Sequence, residues 1–370
     1  MRIVQIVTAI SPGDAIGNDI RALDRMFREG GFQSEIYAET IDMRLSDEKI
    51  RSIDKLQRLS DEDIILYHAC TATDLNLRVL EYGGKCVIVY HNITPPVFFE
   101  KYSPGAAEAC RKGLQQIRSI ADRVGYCIAD STYNREQLIE MGYRCPIDVC
   151  PVLIPFEDYR KEPDRDILEK YNQDGWINLL FVGRVVPNKG YQDILAAFAA
   201  YHKLYNPKSR LFLVGNPNGM DAYVEDLDRY IGKLEIRDFV IFSGHVRFSE
   251  ILAYYRLANV FVCMSAHEGF CVPLAEAMEF RLPIVAYDSS AISDTMGRGG
   301  ILLDSTNPFV AAEAIHRLTT DERLITYIKE EQSKQLERFR YESVKEKILE
   351  IIDKITLTKF NERGEKANEE

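Results

Sequence analysis

A chain of 370 residues, 46% hydrophobic and 28% charged, is too long for a single core and suits two domains, and it has no apolar run long enough to cross a bilayer. Its formal charge of −11 excludes broad nucleic-acid binding, which needs a basic surface, and leaves room only for a local basic face. The eight cysteines form no C-x-x-C pair and mostly sit in apolar runs, as reduced core thiols do, so neither zinc nor a disulfide framework is expected. The chain opens directly on a strand-like run with no signal-peptide pattern, and a cytoplasmic protein is expected.

In chain order, residues 3–7 read as a strand, 15–30 as a helix, 34–37 and 64–67 as strands, and 73–82 as a helix. A strand at 86–90, a helix at 105–124, a strand at 126–129, a helix at 132–141 and a strand at 147–150 follow. Such alternation specifies a doubly wound parallel α/β sheet. Three prolines between 151 and 163 break the rhythm and mark a linker, placed at 153–165. A second series has strands at 177–182, 210–214, 240–242, 260–264, 284–287 and 301–303. Residues 308–360 read as helices and 361–370 as a flexible, solvated tail. The expected domains are 1–152 and 166–340, two Rossmann-like halves with a cleft between them as the default ligand site.

The loop 183–190, G-R-V-V-P-N-K-G, follows the first strand of the second half, where loops open into the crevice. Arg184 can form paired hydrogen bonds to phosphate oxygens and Lys189 adds a point charge, together offsetting most of the charge of a nucleoside diphosphate. Further on, 268–278, E-G-F-C-V-P-L-A-E-A-M, joins a strand to a helix expected at 274–282. Pro273 suits the first turn, but no Ser, Thr, Asp or Asn precedes it as a cap. The N–H groups around Gly269, Phe270, Cys271 and Val272 are therefore open to a polar ligand. Glu268 and Glu276 flank this helix end, where their carboxylates can accept hydrogen bonds from hydroxyls or, more plainly, stabilise the helix dipole.

In the first half, 11–18, S-P-G-D-A-I-G-N, links strand to helix. Gly13 lets backbone approach a diphosphate, and Asp14 reads equally as a helix cap. His91 opens H-N-I-T-P-P at the mouth of the sheet, where the prolines keep the chain extended. A lone histidine there is more often structural than functional. Arg111 and Arg118 lie off the apolar face of the 105–124 helix, on either a solvated surface or a contact for an acceptor phosphate or an anionic membrane. Three D-x-D triplets, at 61–63, 164–166 and 226–228, read as solvated charge, with the first placed ahead of its strand, so no metal is expected.

The paired-Glu segment, the G-R-x-x-x-x-K-G loop and H-N-I-T-P-P resemble the signatures of retaining glycosyltransferases of family 4, in the bacterial polysaccharide branch. The resemblance implies the GT-B fold, a nucleotide-sugar donor and no cofactor. It implies catalytic roles for His91 and Glu268, with Glu268 on donor-sugar hydroxyls, Glu276 on the ribose, Val246 of S-G-H-V beside the base, and the loop of Gly13, Asp14 and Asn18 over the reacting centre and acceptor. It also implies that the helix at 341–360 crosses back to the first domain. The expected partners are a nucleoside-diphosphate sugar and a glycan or lipid-linked acceptor, with peripheral contact at the inner membrane face as an option. A sugar-nucleotide 2-epimerase of the same fold and a non-catalytic glycan- or nucleotide-binding protein are the rival readings.

Overall fold

The computed structural model describes residues 1–45, 49–171, 175–358 and 360, so the tail expected at 361–370 lies outside the described residues. The chain forms two compact units, one of residues 1–95, 108–155 and 339–370, the other of 96–107 and 156–338. The division by packing therefore falls at 155/156, inside the expected linker, and residues 96–107 cluster with the second unit although they lie early in the chain.

The first unit is a seven-stranded sheet of β1 (Arg2–Ile10), β2 (Gln33–Ile41), β3 (Ile50–Ser52), β4 (Leu59–Ala69), β5 (Gly83–Tyr90), β6 (Tyr126–Ala129) and β7 (Ile147–Val149). All pairings are parallel and the order is β3-β2-β1-β4-β5-β6-β7. The strand β3 was not expected from sequence, because three partly exposed residues at a sheet edge carry no readable period. Helices α1 (Ala15–Glu29), α2 (Leu75–Arg78), α3 (Pro104–Ser119) and α4 (Thr132–Glu140) join the strands. The helix expected at 73–82 is only one α-turn, α2, continued as a 3₁₀ segment to Tyr82, and Gly83 at φ 80° ends it.

The second unit is a six-stranded parallel sheet of β8 (Ile177–Val182), β9 (Ser209–Val214), β10 (Val240–Gly244), β11 (Val260–Cys263), β12 (Ile284–Tyr287) and β13 (Ile301–Leu303), ordered β10-β9-β8-β11-β12-β13. Its helices are α5 (Arg165–Tyr171), α6 (Tyr191–Leu204), α7 (Asp221–Leu234), α8 (Phe248–Leu257), α9 (Val272–Glu279), α10 (Ile292–Met296), α11 (Pro308–Thr320) and α12 (Glu322–Leu336). The helix expected at 274–282 thus starts earlier and stops sooner, because Arg281 takes a positive φ of 56° that a helix cannot continue through. Each unit is thus a parallel sheet flanked by helices, the doubly wound α/β organisation expected from the sequence.

The last helix, α13 (Tyr341–Leu357), returns to the first unit. Side chains of a strand alternate between faces, so Ile64, Leu66, Val87 and Val89 turn one way, against α1 and α13, while Ile65, Tyr67, Ile88 and Tyr90 turn the other, against α2 to α4. On α13 the buried residues are Val344, Ile348, Ile351, Ile352 and Ile355, at helical spacing and each no more than 3% exposed. Burying five such side chains contributes on the order of 10 kcal/mol before the entropy of ordering the helix is subtracted. Among the described residues no helix is long and apolar enough to cross a membrane.

Candidate active site

In the second sheet the strand order reverses between β8 and β11, and an open parallel sheet offers its ligand crevice at the carboxyl ends of such a pair. The loops leaving these two strands carry Arg184 and Lys189 on one side and Glu268 on the other. Asn188 ties them together: its carbonyl accepts from the N–H of Ala266 (2.8 Å) and of His267 (3.3 Å), while its side-chain amide donates to the His267 carbonyl at 3.0 Å. The approach is close enough to demand glycine at 190, which lies at φ 65° and where a Cβ would stand 1.9 Å from the Met264 carbonyl oxygen. Gly190→Ala is expected to lower stability by more than the ~1–2 kcal/mol that a left-handed conformation alone costs, seen as a lower urea midpoint.

Across this clamp the Lys189 Nζ donates to both Glu268 oxygens at 2.7 Å each. The side chains are 19% and 7% exposed, so the pair is largely out of water. Burial works against the Lys189 ammonium, but the Glu268 carboxylate outweighs it and holds the lysine above its ordinary range. Glu268 is fixed in turn by its own N–H, which donates to Ser290 Oγ at 2.7 Å. Arg184 differs: its guanidinium is exposed and makes no hydrogen bond or ion pair among the described residues.

Glu276 lies in the second turn of α9 with both oxygens engaged, Oε1 accepting from the Tyr159 hydroxyl at 2.5 Å and Oε2 from the Tyr255 hydroxyl at 2.6 Å. Burial raises its pKa and the two hydroxyls oppose that rise. No side chain caps α9, whose N-terminus begins from Cys271 at φ 70°, a left-handed turn just ahead of Val272. Gly269 and Phe270 precede that turn, with the Phe270 carbonyl held by the Thr295 hydroxyl. Val246 sits apart, half-buried after β10 at the sheet's edge, two strands from β8.

In the first unit Gly13 is exposed at φ 78° with open space around it. Asp14 caps α1, its carboxylate accepting from the Gly17 N–H at 3.0 Å, and Asn18 accepts from Arg21 at 2.6 Å. His91 is buried with both ring nitrogens taken: Nδ1 lies 2.8 Å from Asp130 and Nε2 lies 2.7 Å from Nδ1 of His68. In this arrangement its ring has no free nitrogen for a sugar hydroxyl. Arg111 pairs with Glu108 on its own helix, while Arg118 is exposed.

Residues 163–336 match the family described as Glycosyl transferases group 1. Residues 163–336 belong to that family. The chain is 30% identical over 190 residues to the alpha-monoglucosyldiacylglycerol synthase of Streptococcus pneumoniae, a match covering 49% of this chain and 42% of that protein. It is 29% identical over 243 residues to the GDP-mannose-dependent alpha-mannosyltransferase of Mycolicibacterium smegmatis, covering 61% and 58%. The matched stretches thus span well under two thirds of these relatives' own lengths. In fold, HepE of Anabaena, solved in complex with UDP-glucose, aligns over 96% of this chain and 100% of its own with a TM-score of 0.75 at 19% identity.

Two of the three acidic triplets lie within residues 163–336, and they have structural partners. Asp164 pairs with Arg247, Asp226 with Lys101 and Arg229, and Asp228 with Arg237. Asp61–Asp63 lies inside β4, not ahead of a strand as expected, and Asp63 pairs with Arg2 at 2.9 Å. Asp19, His68 and His91 bring ligand atoms within 4.8 Å of one another. Two nitrogens on one tetrahedral zinc, each about 2.0–2.1 Å from it, would stand roughly 3.3 Å apart. Here the imidazoles are coplanar to within 5° with centroids 5.0 Å apart, so at an N···N distance of 2.7 Å the two nitrogens point straight at each other, as donor and acceptor do, and not towards a shared third point. The cluster is built as hydrogen bonds.

Sequence reasoning passed over Asn188, Tyr159, Tyr255 and Ser290, which position the glutamates and the lysine. A polar Asn inside the G-R-x-x-x-x-K-G loop was the one local signal.

Proposed function

We infer that the protein is a retaining glycosyltransferase that moves a sugar from a nucleoside-diphosphate sugar to an acceptor hydroxyl. The observation that carries this reading is the Lys189–Glu268 pair clamped at the switch point of the second sheet, beside the unpaired Arg184. A diphosphate brings negative charge that Arg184 can take up at once and that competes with Glu268 for Lys189. Once Lys189 turns to phosphate, Glu268 is free to accept hydrogen bonds from sugar hydroxyls, and Glu276 can accept from a ribose on its remaining lone pairs. Arg184, Lys189 and the uncapped end of α9 then stabilise the leaving group electrostatically, and no metal is needed for that work. The acceptor is a hydroxyl of a glycan or lipid-linked sugar, in cell-surface polysaccharide or glycolipid assembly, in keeping with the names of the relatives.

The test begins with melting curves in chelator with UDP, GDP, dTDP and ADP. A nucleotide at a hundred times its Kd adds about 2.7 kcal/mol, enough to move a melting point by several degrees. One nucleotide is expected to shift the transition, and its sugar donors are then offered with glycan and glycolipid acceptors. The expected product carries the new bond in the donor's anomeric configuration. A free epimer without acceptor, or nucleotide binding without turnover, would replace this reading with one of its rivals.

A further inference from the structure

We propose that His91 is a fixed imidazolium, and that Gln5 and His68 are positioning residues whose hydrogen bonds force it to carry both ring protons. The relay starts at a group that can only accept. The Ile20 carbonyl takes a hydrogen bond from the Gln5 amide nitrogen at 3.0 Å, so the amide oxygen must be the atom that faces His68 Nε2 at 3.2 Å. That oxygen can only accept as well, which puts the His68 proton on Nε2 and leaves its Nδ1 a lone pair if the ring is neutral. Facing that lone pair at 2.7 Å is His91 Nε2, which must then donate. On the far side His91 Nδ1 meets Asp130 at 2.8 Å. Of the two groups an ordinary carboxyl is the stronger acid, about 3.9 against about 6.5 for imidazole, so the shared proton resides on His91 and Asp130 is the carboxylate.

Every ionisable neighbour agrees with this state. His68 comes from β4, Asp130 follows β6, and Asp14 and Asp19 come from the start of α1. Burial, and then the charge on His91, hold His68 well below its ordinary range and so neutral. Burial also opposes charge on His91, but Asp130, with Asp19 and Asp14 behind it, outweighs that and raises it. Gln5, His68 and Asp130 are all at most 5% exposed, so water does not compete for these bonds. The relay places a permanent positive charge directly after β5. The role of that charge in transfer rests on the glycosyltransferase reading; the charge itself does not.

The test uses the full chain labelled with ¹³Cε1-histidine, whose six histidines give few enough signals to follow by NMR, His91 being assigned by its loss in His91→Asn. The wild-type His91 signal is expected to hold the imidazolium position at pH 7, above the ordinary imidazole midpoint of about 6.5. In Gln5→Leu the acceptor for His68 Nε2 is gone, His68 can donate through Nδ1 instead, and the His91 midpoint is expected to fall by at least tenfold in proton affinity. Gln5→Glu keeps an acceptor towards His68 and is expected to keep His91 charged. A neutral His91 at pH 7 in the wild type overturns the proposal whether or not the variants fold, and so does an equal shift in the two variants. No substrate enters this measurement, so a failure to find turnover bears on the proposed function alone.

Discussion

Lys189→Ala is expected to lose both activity and stability, and the two losses have one cause. Removing the ammonium leaves the Glu268 carboxylate 7% exposed with no counter-charge. Breaking a buried pair from one side costs about 3–5 kcal/mol of stability. On the proposed function a phosphate contact is lost as well, which for a desolvated charged group is about 2–5 kcal/mol of binding, or roughly thirtyfold to several thousandfold in kcat/KM. Lys189→Ala with Glu268→Ala should recover much of the stability, since the stranded charge is gone, but none of the turnover. Arg184→Ala provides the contrast, because its guanidinium has no partner among the described residues to strand. It should weaken nucleotide binding and transfer while leaving the urea midpoint in place. Near-normal turnover in all three single variants, Glu268→Ala included, would remove this loop pair from the donor site.

Asp19→Asn is expected to stabilise the first unit at neutral and alkaline pH. Burial is the main cause that pushes the Asp19 carboxyl up to about 7, with His91 opposing it and Asp130 adding to it. A carboxyl whose folded pKa is raised binds its proton more tightly in the native state. Its favourable contribution is therefore complete below the unfolded value near 4 and is lost as pH rises through about 7. The rise of about three units corresponds to about 4 kcal/mol between those limits, as an upper figure. Asparagine keeps an oxygen for the Leu153 N–H, which Asp19 accepts at 2.6 Å, and it never ionises. Denaturation at pH 5, 6.5 and 8 should give a first-unit transition that falls with pH in the wild type and is much flatter in the variant. Parallel profiles would mean that Asp19 is ionised without penalty.

What could be read from the sequence was whatever is local. The G-R-x-x-x-x-K-G loop and the paired glutamates each follow closely on one strand end, and the alternation of apolar runs with helical segments placed almost every strand. The relay was not legible in the same way. Gln5, His68, His91 and Asp130 stand on or directly after β1, β4, β5 and β6, which are neighbours only because of the sheet order. The signal that could have found it was a polar residue inside an otherwise apolar run, Gln5 in I-V-Q-I-V and His68 in I-L-Y-H-A, since such a group must be answered by another once buried. Tyr159 and Tyr255 give no such sign, because they come from the linker segment itself and from α8, 117 and 21 residues from Glu276 in sequence. The proline-rich linker marked the neighbourhood of the boundary, but not that 96–107 would pack with the second unit, which depends on contacts such as Tyr102 with Tyr223 and Asp226.

The place of α13 in the first unit also orders events during synthesis. A sheet face that includes Ile64, Leu66 and Val89 is covered in part by Val344, Ile348, Ile351 and Ile355, so the unit whose strands leave the ribosome first cannot close its core until residues 341–357 have emerged. The second unit, apart from 96–107, is one unbroken stretch from 156 to 338 and can complete its sheet earlier. Nascent chains stalled before α13 should therefore carry a finished second unit and a first unit with an open apolar face, the form most exposed to chaperones and to aggregation.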